Sequence, residues 1–135
     1  MSKQVGRSPE VDAQLKKLQE VQNGLQALAD SRNQFYQQAN ENGMVKQELD
    51  LLEDEASVFK LIGPVLMKQD LEEAKQNVAK RLELIEREMS KVSKAIEKKQ
   101  KEEAAIGDEI MRIQNSMKGQ AQEAARKIME STASA

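Results

Sequence analysis

The feature that most constrains the fold is a heptad rhythm in the second half of the chain. From Val78 to Met117, residues on one seam recur at steps of four and three without a slip, and only two of them are polar. This spacing is the pattern of a coiled-coil helix. Asp70 followed by Glu73 is a capping-box signal, so we predict a helix over residues 70–130. Its predicted seam comprises Val78, Leu82, Ile85, Met89, Val92, Ile96, Lys99, Glu103, Ile106, Ile110, Ile113 and Met117.

The first half of the chain carries a weaker version of the same rhythm. Ser8 before Pro9 is an N-cap followed by a proline at the first helical position, which indicates a helix start. We predict a helix over residues 10–52 whose heptad phase slips near Asn42-Gly43. Its predicted seam comprises Val11, Leu15, Leu18, Gln22, Leu25, Ala29, Arg32, Tyr36, Val45, Leu49 and Leu52, and Val21 and Leu28 lie outside it.

Between the helices, two short apolar runs flank Gly63-Pro64. A Gly-Pro turn between such runs predicts a β-hairpin within residues 53–69. Neither run alternates cleanly, so both faces should carry apolar side chains. A lone hairpin is marginal in water and has open edges, and two helix ends offer little surface to cover it, so assembly with other chains is favoured over packing on its own helices. The candidate oligomerisation residues are Val58, Phe59, Leu61, Ile62, Val65, Leu66 and Met67.

The predicted fold is mainly α, a long antiparallel coiled-coil hairpin with a β-hairpin at the helix–helix connection. Placing Leu52 opposite Leu71 makes the numbers of facing residues add up to about 123. The second helix beyond about residue 113 then has no partner in the first helix. Residues 1–9 and 131–135 are predicted to be flexible ends.

The open end of the coiled coil is the second candidate site. One interpretation is that its apolar residues are simply coiled-coil core. The other is that the open end offers adaptable apolar surface for contact with partners, because methionine adapts to varied partners. Burial of two or three such side chains gives roughly millimolar affinity, so several ends would have to act together. The candidate contact residues at this end are Val11, Leu15, Leu18, Ile110, Met111, Ile113 and Met117.

Composition argues against several functions. The chain has no Cys and no His, which removes zinc fingers, disulfides, thiol nucleophiles and Ser-His-Asp triads. Only carboxylate sites, which suit Mg²⁺ or Ca²⁺, remain, and the acidic run Glu53-Asp54-Glu55 lacks the spacing of an EF-hand. We predict no enzyme, no cofactor and no metal site. A net charge of −2, with two Phe, one Tyr and no Trp, argues against nucleic-acid binding. No apolar run approaches the ~20 residues that span a bilayer, so we expect a soluble intracellular protein without membrane contact.

About forty residues around the predicted hairpin carry a specific resemblance to a known family. They are residues 42–52 and 56–71, with the run VFKLIGPVLMKQ at their centre, and they continue through Ala74 and Val78 to Arg81. This stretch resembles the beta class of prefoldin subunits, and within it the eukaryotic subunit-six type. The architecture resembles that family over about residues 10–120.

The resemblance implies an assembly and a function that residue spacing alone does not indicate. Prefoldin is a hetero-hexamer of alpha-class and beta-class subunits whose hairpins join in a double β-barrel from which coiled coils extend. The ends of the coiled coils would hold unfolded clients such as actin and tubulin and deliver them to the cytosolic chaperonin without ATP. The implied location is cytoplasmic. The alternative function is a structural antiparallel coiled-coil scaffold or tether that binds one defined partner and no clients.

Overall fold

The chain is described by a computed structural model over residues 8–133. In chain order it contains helix α1 (Pro9–Leu51), strand β1 (Val58–Ile62), strand β2 (Val65–Gln69) and helix α2 (Leu71–Ala133). Two long helices joined by an antiparallel two-stranded hairpin confirm the predicted fold class. Of the predicted flexible ends, residues 1–7 and 134–135 lie outside the described residues. The prediction was wrong for the other residues, because Ser8 caps α1, Pro9 begins it, and α2 includes residues 131–133.

Both helices begin beside the predicted cap residues. The Ser8 Oγ accepts a hydrogen bond of 3.1 Å from the backbone N–H of Val11. The Asp70 Oδ2 accepts one of 3.3 Å from the backbone N–H of Glu73. Each side chain thus satisfies a backbone donor that the first turn of a helix leaves unpaired.

The hairpin turn consists of Gly63 and Pro64. Gly63 has a φ of +57°, in the left-handed region that glycine adopts without steric cost. Proline fixes its own φ near −65°. A positive φ followed by a negative φ is the combination of a type II′ turn, whose twist suits a two-residue hairpin loop. These two residues therefore explain why the chain reverses at this point.

The chain divides into two compact units. The terminal unit comprises Met1–Gln26 and Glu97–Ala135, and the hairpin unit comprises Ala27–Ile96. In the hairpin unit, Arg81 Nη1 on α2 donates a hydrogen bond of 3.2 Å to Asn42 Oδ1 on α1. The buried cluster of this unit contains Leu49, Leu71, Ala74 and Val78, and the half-buried Val58 and Leu82 pack against it.

In the terminal unit, the Lys99 side chain lies across Gly24. A Cβ at residue 24 would lie 2.9 Å from Lys99 Cε. Among the described residues of this unit, the buried apolar ones are Val11, Val21 and Ile113. The contact between residues 24 and 99 and the hydrogen bond between residues 42 and 81 both follow the predicted pairing, in which facing numbers add up to 123.

The seam of α1 differs from the predicted one. Val21 is buried and Phe35 is half-buried, whereas Gln22 and Tyr36 are exposed. The predicted phase slip near Asn42-Gly43 was wrong, because the less exposed positions keep steps of three and four from Val11 to Asn42 and the buried Leu49 lies one heptad further on. Polar side chains at several seam positions concealed that rhythm in the sequence. The seam comprises Val11, Gln14, Leu18, Val21, Leu25, Leu28, Arg32, Phe35, Ala39, Asn42 and Leu49, and the predicted members Val45 and Leu52 are exposed.

The seam of α2 agrees with the predicted one. Every predicted seam position from Val78 to Met117 is buried or half-buried. Residues 118–133 continue the helix but are exposed throughout. In the terminal unit, α2 therefore extends beyond the region that α1 covers.

Candidate oligomerisation hairpin and coiled-coil end

The strand register defines the two faces of the hairpin. The paired residues are Val58 with Gln69, Phe59 with Lys68, Lys60 with Met67, Leu61 with Leu66 and Ile62 with Val65. Directly paired residues lie on the same face, and successive residues alternate between faces. The Phe59 face therefore carries Phe59, Leu61, Leu66 and Lys68. The Lys60 face carries Val58, Lys60, Ile62, Val65, Met67 and Gln69.

Six of the seven predicted oligomerisation residues are exposed. Val58 packs against the buried cluster at the start of the hairpin. The exposed fractions of the other six range from 51% for Ile62 to 67% for Leu61. Exposed apolar side chains grouped on one element in this way are typical of interaction surfaces. The exposed set is Phe59, Leu61, Ile62, Val65, Leu66 and Met67.

The backbone of the hairpin adds a second binding feature. Within the described residues, β1 and β2 form a sheet of two strands only, so each strand has one outer edge. An outer edge presents unpaired N–H and C=O groups that can pair with a strand of another chain. The hairpin can therefore extend a sheet and bury apolar side chains at the same time.

The coiled-coil end contains the second predicted site. Val11 and Ile113 are 2% and 7% exposed, so they lie in the core of the seam. Met111 lies outside the seam and is 62% exposed. The structure thus places five of the seven residues in the seam, leaves Leu15 half-buried beside it and leaves Met111 on the outer surface. The half-buried members are Leu15, Leu18, Ile110 and Met117.

Two further exposed apolar residues were not predicted as site residues. Ile128 and Met129 lie in the exposed stretch of α2 and are 68% and 73% exposed. The signal that could have found them is the predicted pairing, which leaves α2 without a partner beyond about residue 113.

Charged groups from both helices meet near the coiled-coil end. Arg112 donates hydrogen bonds to both carboxylate oxygens of Glu109, one of them 3.0 Å from Nε to Oε2. These hydrogen bonds lower the pKa of Glu109 against a smaller opposing effect of burial, and the charges of Arg112 and Lys17 lower it further. The same hydrogen bonds raise the pKa of Arg112. The negative charges of Glu109 and Glu10 also raise this pKa, and slight burial lowers it by less. Because the pair is exposed, it contributes little stability.

Two other kinds of site, a metal-ion cluster and a membrane-spanning helix, are absent from the described residues. Among residues 8–133, no three acidic side chains are grouped so that they could hold a metal ion. No helix in that range is long and apolar enough to cross a membrane.

Comparison of the sequence with known proteins points to one family. The profile of the prefoldin subunit family matches residues 12–117. The probable prefoldin subunit 6 of Caenorhabditis elegans is 39% identical over 121 residues, which cover 84% of this chain and 96% of that protein. Prefoldin subunit 6 of Saccharomyces cerevisiae is 38% identical over 100 residues, which cover 74% of this chain and 88% of that protein.

The fold is also similar to a solved structure. The crystal structure of the prefoldin beta subunit from Thermococcus strain KS-1 matches with a TM-score of 0.75. The match covers 78% of this chain and 93% of that chain at 21% sequence identity, so it shows a shared fold. Together with the family profile and the sequence relatives, this similarity leads to one conclusion. The chain belongs to the prefoldin subunit family, and it is of the subunit 6 type.

Proposed function

We propose that this chain is a beta-class subunit of a hetero-hexameric prefoldin in the cytoplasm. In this role the hairpin joins the chain to other alpha-class and beta-class subunits. The coiled-coil ends of the assembly capture unfolded polypeptides such as actin and tubulin without ATP and transfer them to the cytosolic chaperonin. The single observation that carries the proposal is the two-faced, exposed apolar hairpin.

The energetics of the hairpin support its role in assembly. Its six exposed apolar side chains are half to two-thirds exposed. Complete burial of such side chains yields about 1.5–3 kcal/mol each, so covering the six would contribute roughly 5–10 kcal/mol before the cost of association is subtracted. Strand pairing at an open edge would add directional hydrogen bonds. These terms would offset much of the cost of association, which is about 4–15 kcal/mol.

The exposure pattern at the coiled-coil end supports a division of roles. Val11 and Ile113 are buried between the helices, so their main contribution is to the stability of the coiled coil. Met111, Ile128 and Met129 are exposed and flexible or branched apolar side chains, which suit contact with varied polypeptides. A few such contacts bind weakly. Several ends held on one assembly would raise the effective concentration and the overall affinity.

The assembly role is tested by charges placed on the hairpin. The double substitution of Phe59→Lys and Leu61→Lys is made in the full chain, which is then co-expressed with its companion subunits. We expect native mass spectrometry to find no hexamer containing the variant, because two ammonium groups would be buried in an apolar contact. Leu84→Lys is the control, since Leu84 is 54% exposed on α2 and outside the hairpin. Normal hexamer formation by the double variant would refute the hairpin role.

The client role is tested on the assembled complex. Met111→Ser, Ile128→Ser and Met129→Ser are combined, and suppression of aggregation of a denatured client is measured. We expect severalfold more complex to be needed for the same protection, while assembly is unchanged. Met44→Ser is the control, since Met44 is 63% exposed on α1 in the hairpin unit. Removal of residues 1–18 and 118–135 should abolish protection, and unchanged protection after that truncation would favour the scaffold function.

A further inference from the structure

The hairpin carries two positive charges and no negative charge. Lys60 lies in β1 on the Lys60 face, and Lys68 lies in β2 on the Phe59 face. Both lysines are exposed, and no ion pair joins either of them to another described residue. Two unpaired ammonium groups therefore lie within the apolar surface that assembly would cover.

The position of Lys60 within its strand gives it a specific consequence. Lys60 is the third of the five residues of β1. If β1 paired antiparallel with a second copy of itself about a two-fold axis, its central residue would lie on that axis, and Lys60 would face Lys60. In-register parallel pairing would also place the two lysines side by side. Directly paired side chains have Cβ atoms about 4.5–5.5 Å apart, and like charges at that distance destabilise a sheet.

Symmetric pairing at the outer edge of β2 does not place like charges opposite each other. The central residue of β2 is Met67, so the same two-fold operation places methionine against methionine and Lys68 against Leu66. The two edges of the hairpin therefore differ, and only the β1 edge opposes symmetric pairing with a second copy.

We propose that the outer edge of β1 pairs with a strand of a different subunit, and that this strand is apolar except for a carboxylate opposite Lys60. The inference rests on the proposed function, in which the hairpin assembles with other subunits. Lys60 shares its face with Ile62, Val65 and Met67, so a partner that covers these side chains also takes the ammonium group out of water. A buried ammonium group is costly without a partner and is tolerated with a well-placed carboxylate. Lys60 thus selects a complementary subunit and rejects a second copy of the chain.

Charge substitutions test the selection. Lys60→Glu is made in the full chain and co-expressed with the companion subunits, and the yield of hexamer is measured by native mass spectrometry. We expect a decrease of about tenfold or more, because two carboxylates would then face each other in the contact. Lys68→Glu is the control with the same charge change in the same hairpin, and it should reduce the yield less. A normal yield for Lys60→Glu would overturn the inference.

Self-association of the isolated chain gives an independent readout. Lys60→Met removes the charge and keeps an apolar side chain, so we expect its homodimer to form at about tenfold lower concentration than that of the unsubstituted chain. Analytical ultracentrifugation measures this concentration. An unchanged tendency to dimerise would show that Lys60 does not oppose pairing with a second copy, and it would overturn the inference.

Chemical cross-linking of the complete hexamer identifies the partner group directly. A carbodiimide joins a carboxylate and a contacting amine into an amide and takes up the water that is released. We expect Lys60 to be linked to an Asp or Glu of a different subunit. A link only to a second copy of this chain, or no Lys60 link, overturns the inference.

Two sets of variants distinguish this inference from the proposed function. If the double variant Phe59→Lys and Leu61→Lys fails to assemble while Lys60→Glu assembles normally, only this inference fails. Assembly by the former double variant would refute the proposed function itself.

Discussion

Leu49 and Leu51 provide a matched test of how the coiled coil is stabilised. They lie two residues apart on α1, but Leu49 is 8% exposed within the buried cluster and Leu51 is 85% exposed. Leu49→Ala removes three buried carbon atoms, which at about 0.8 kcal/mol for each methylene corresponds to about 2.4 kcal/mol. A residual cavity adds to this loss, and relaxation of neighbouring side chains reduces it. We expect the free energy of unfolding to fall by about 2–3 kcal/mol.

Leu51→Ala makes the same chemical change without removing buried surface. We expect it to change the free energy of unfolding by less than about 0.5 kcal/mol. Urea unfolding of the isolated full chain, followed by far-ultraviolet circular dichroism, measures both values, and an unchanged slope with denaturant shows that the comparison is valid. Equal losses in the two variants would refute the assignment of Leu49 to the seam and of Leu51 to the surface.

Four further predictions concern other positions in the helices. Gly43→Ala should stabilise the chain by about 1 kcal/mol in urea unfolding, since helix propensity improves and nothing lies within 4 Å of the new Cβ. Gly24→Ala should gain less because its Cβ would displace Lys99, and a larger gain than at Gly43 would contradict that packing. Arg32→Met should stabilise the chain by about 1 kcal/mol, because the buried Arg32 Nε has no hydrogen-bond partner among the described residues, and a loss of stability in the same assay would contradict this. The pKa of Glu109, measured by NMR titration, should lie below its ordinary value. Its small stabilising contribution is then present above that ordinary value and is lost as pH falls through the lowered pKa, so a raised pKa would contradict the contact with Arg112.

The sequence predicted the coiled-coil seam of α2 better than that of α1. In α2 nearly all seam positions are apolar, so the pattern identified each one. In α1 the seam includes Gln14, Arg32 and Asn42. Where a polar residue occupies the seam, an apolar neighbour such as Leu15 suggests a different frame. Packing against the other helix decides between such neighbours, and the pattern along one helix does not contain that information.

The hairpin was predictable because local chemistry determines it. Gly63 supplies the positive φ of the turn, and Pro64 fixes the next residue. Strand pairing and the resulting faces depend on the register, which the runs of apolar residues did not specify. At the coiled-coil end, the heptad pattern placed Val11 and Ile113 in the seam and left Met111 outside it, which agrees with their burial. The candidate site at this end nevertheless combined buried and exposed residues, because the pattern does not show which apolar side chains a partner could contact.

We propose that the exposed hairpin joins this chain to different prefoldin subunits. The decisive measurement is native mass spectrometry of the complex recovered with the chain from its own cells. We predict a six-chain assembly of different small subunits that contains this chain. A homodimer, or a complex with one large partner, would contradict the claim and would favour a structural scaffold or tether.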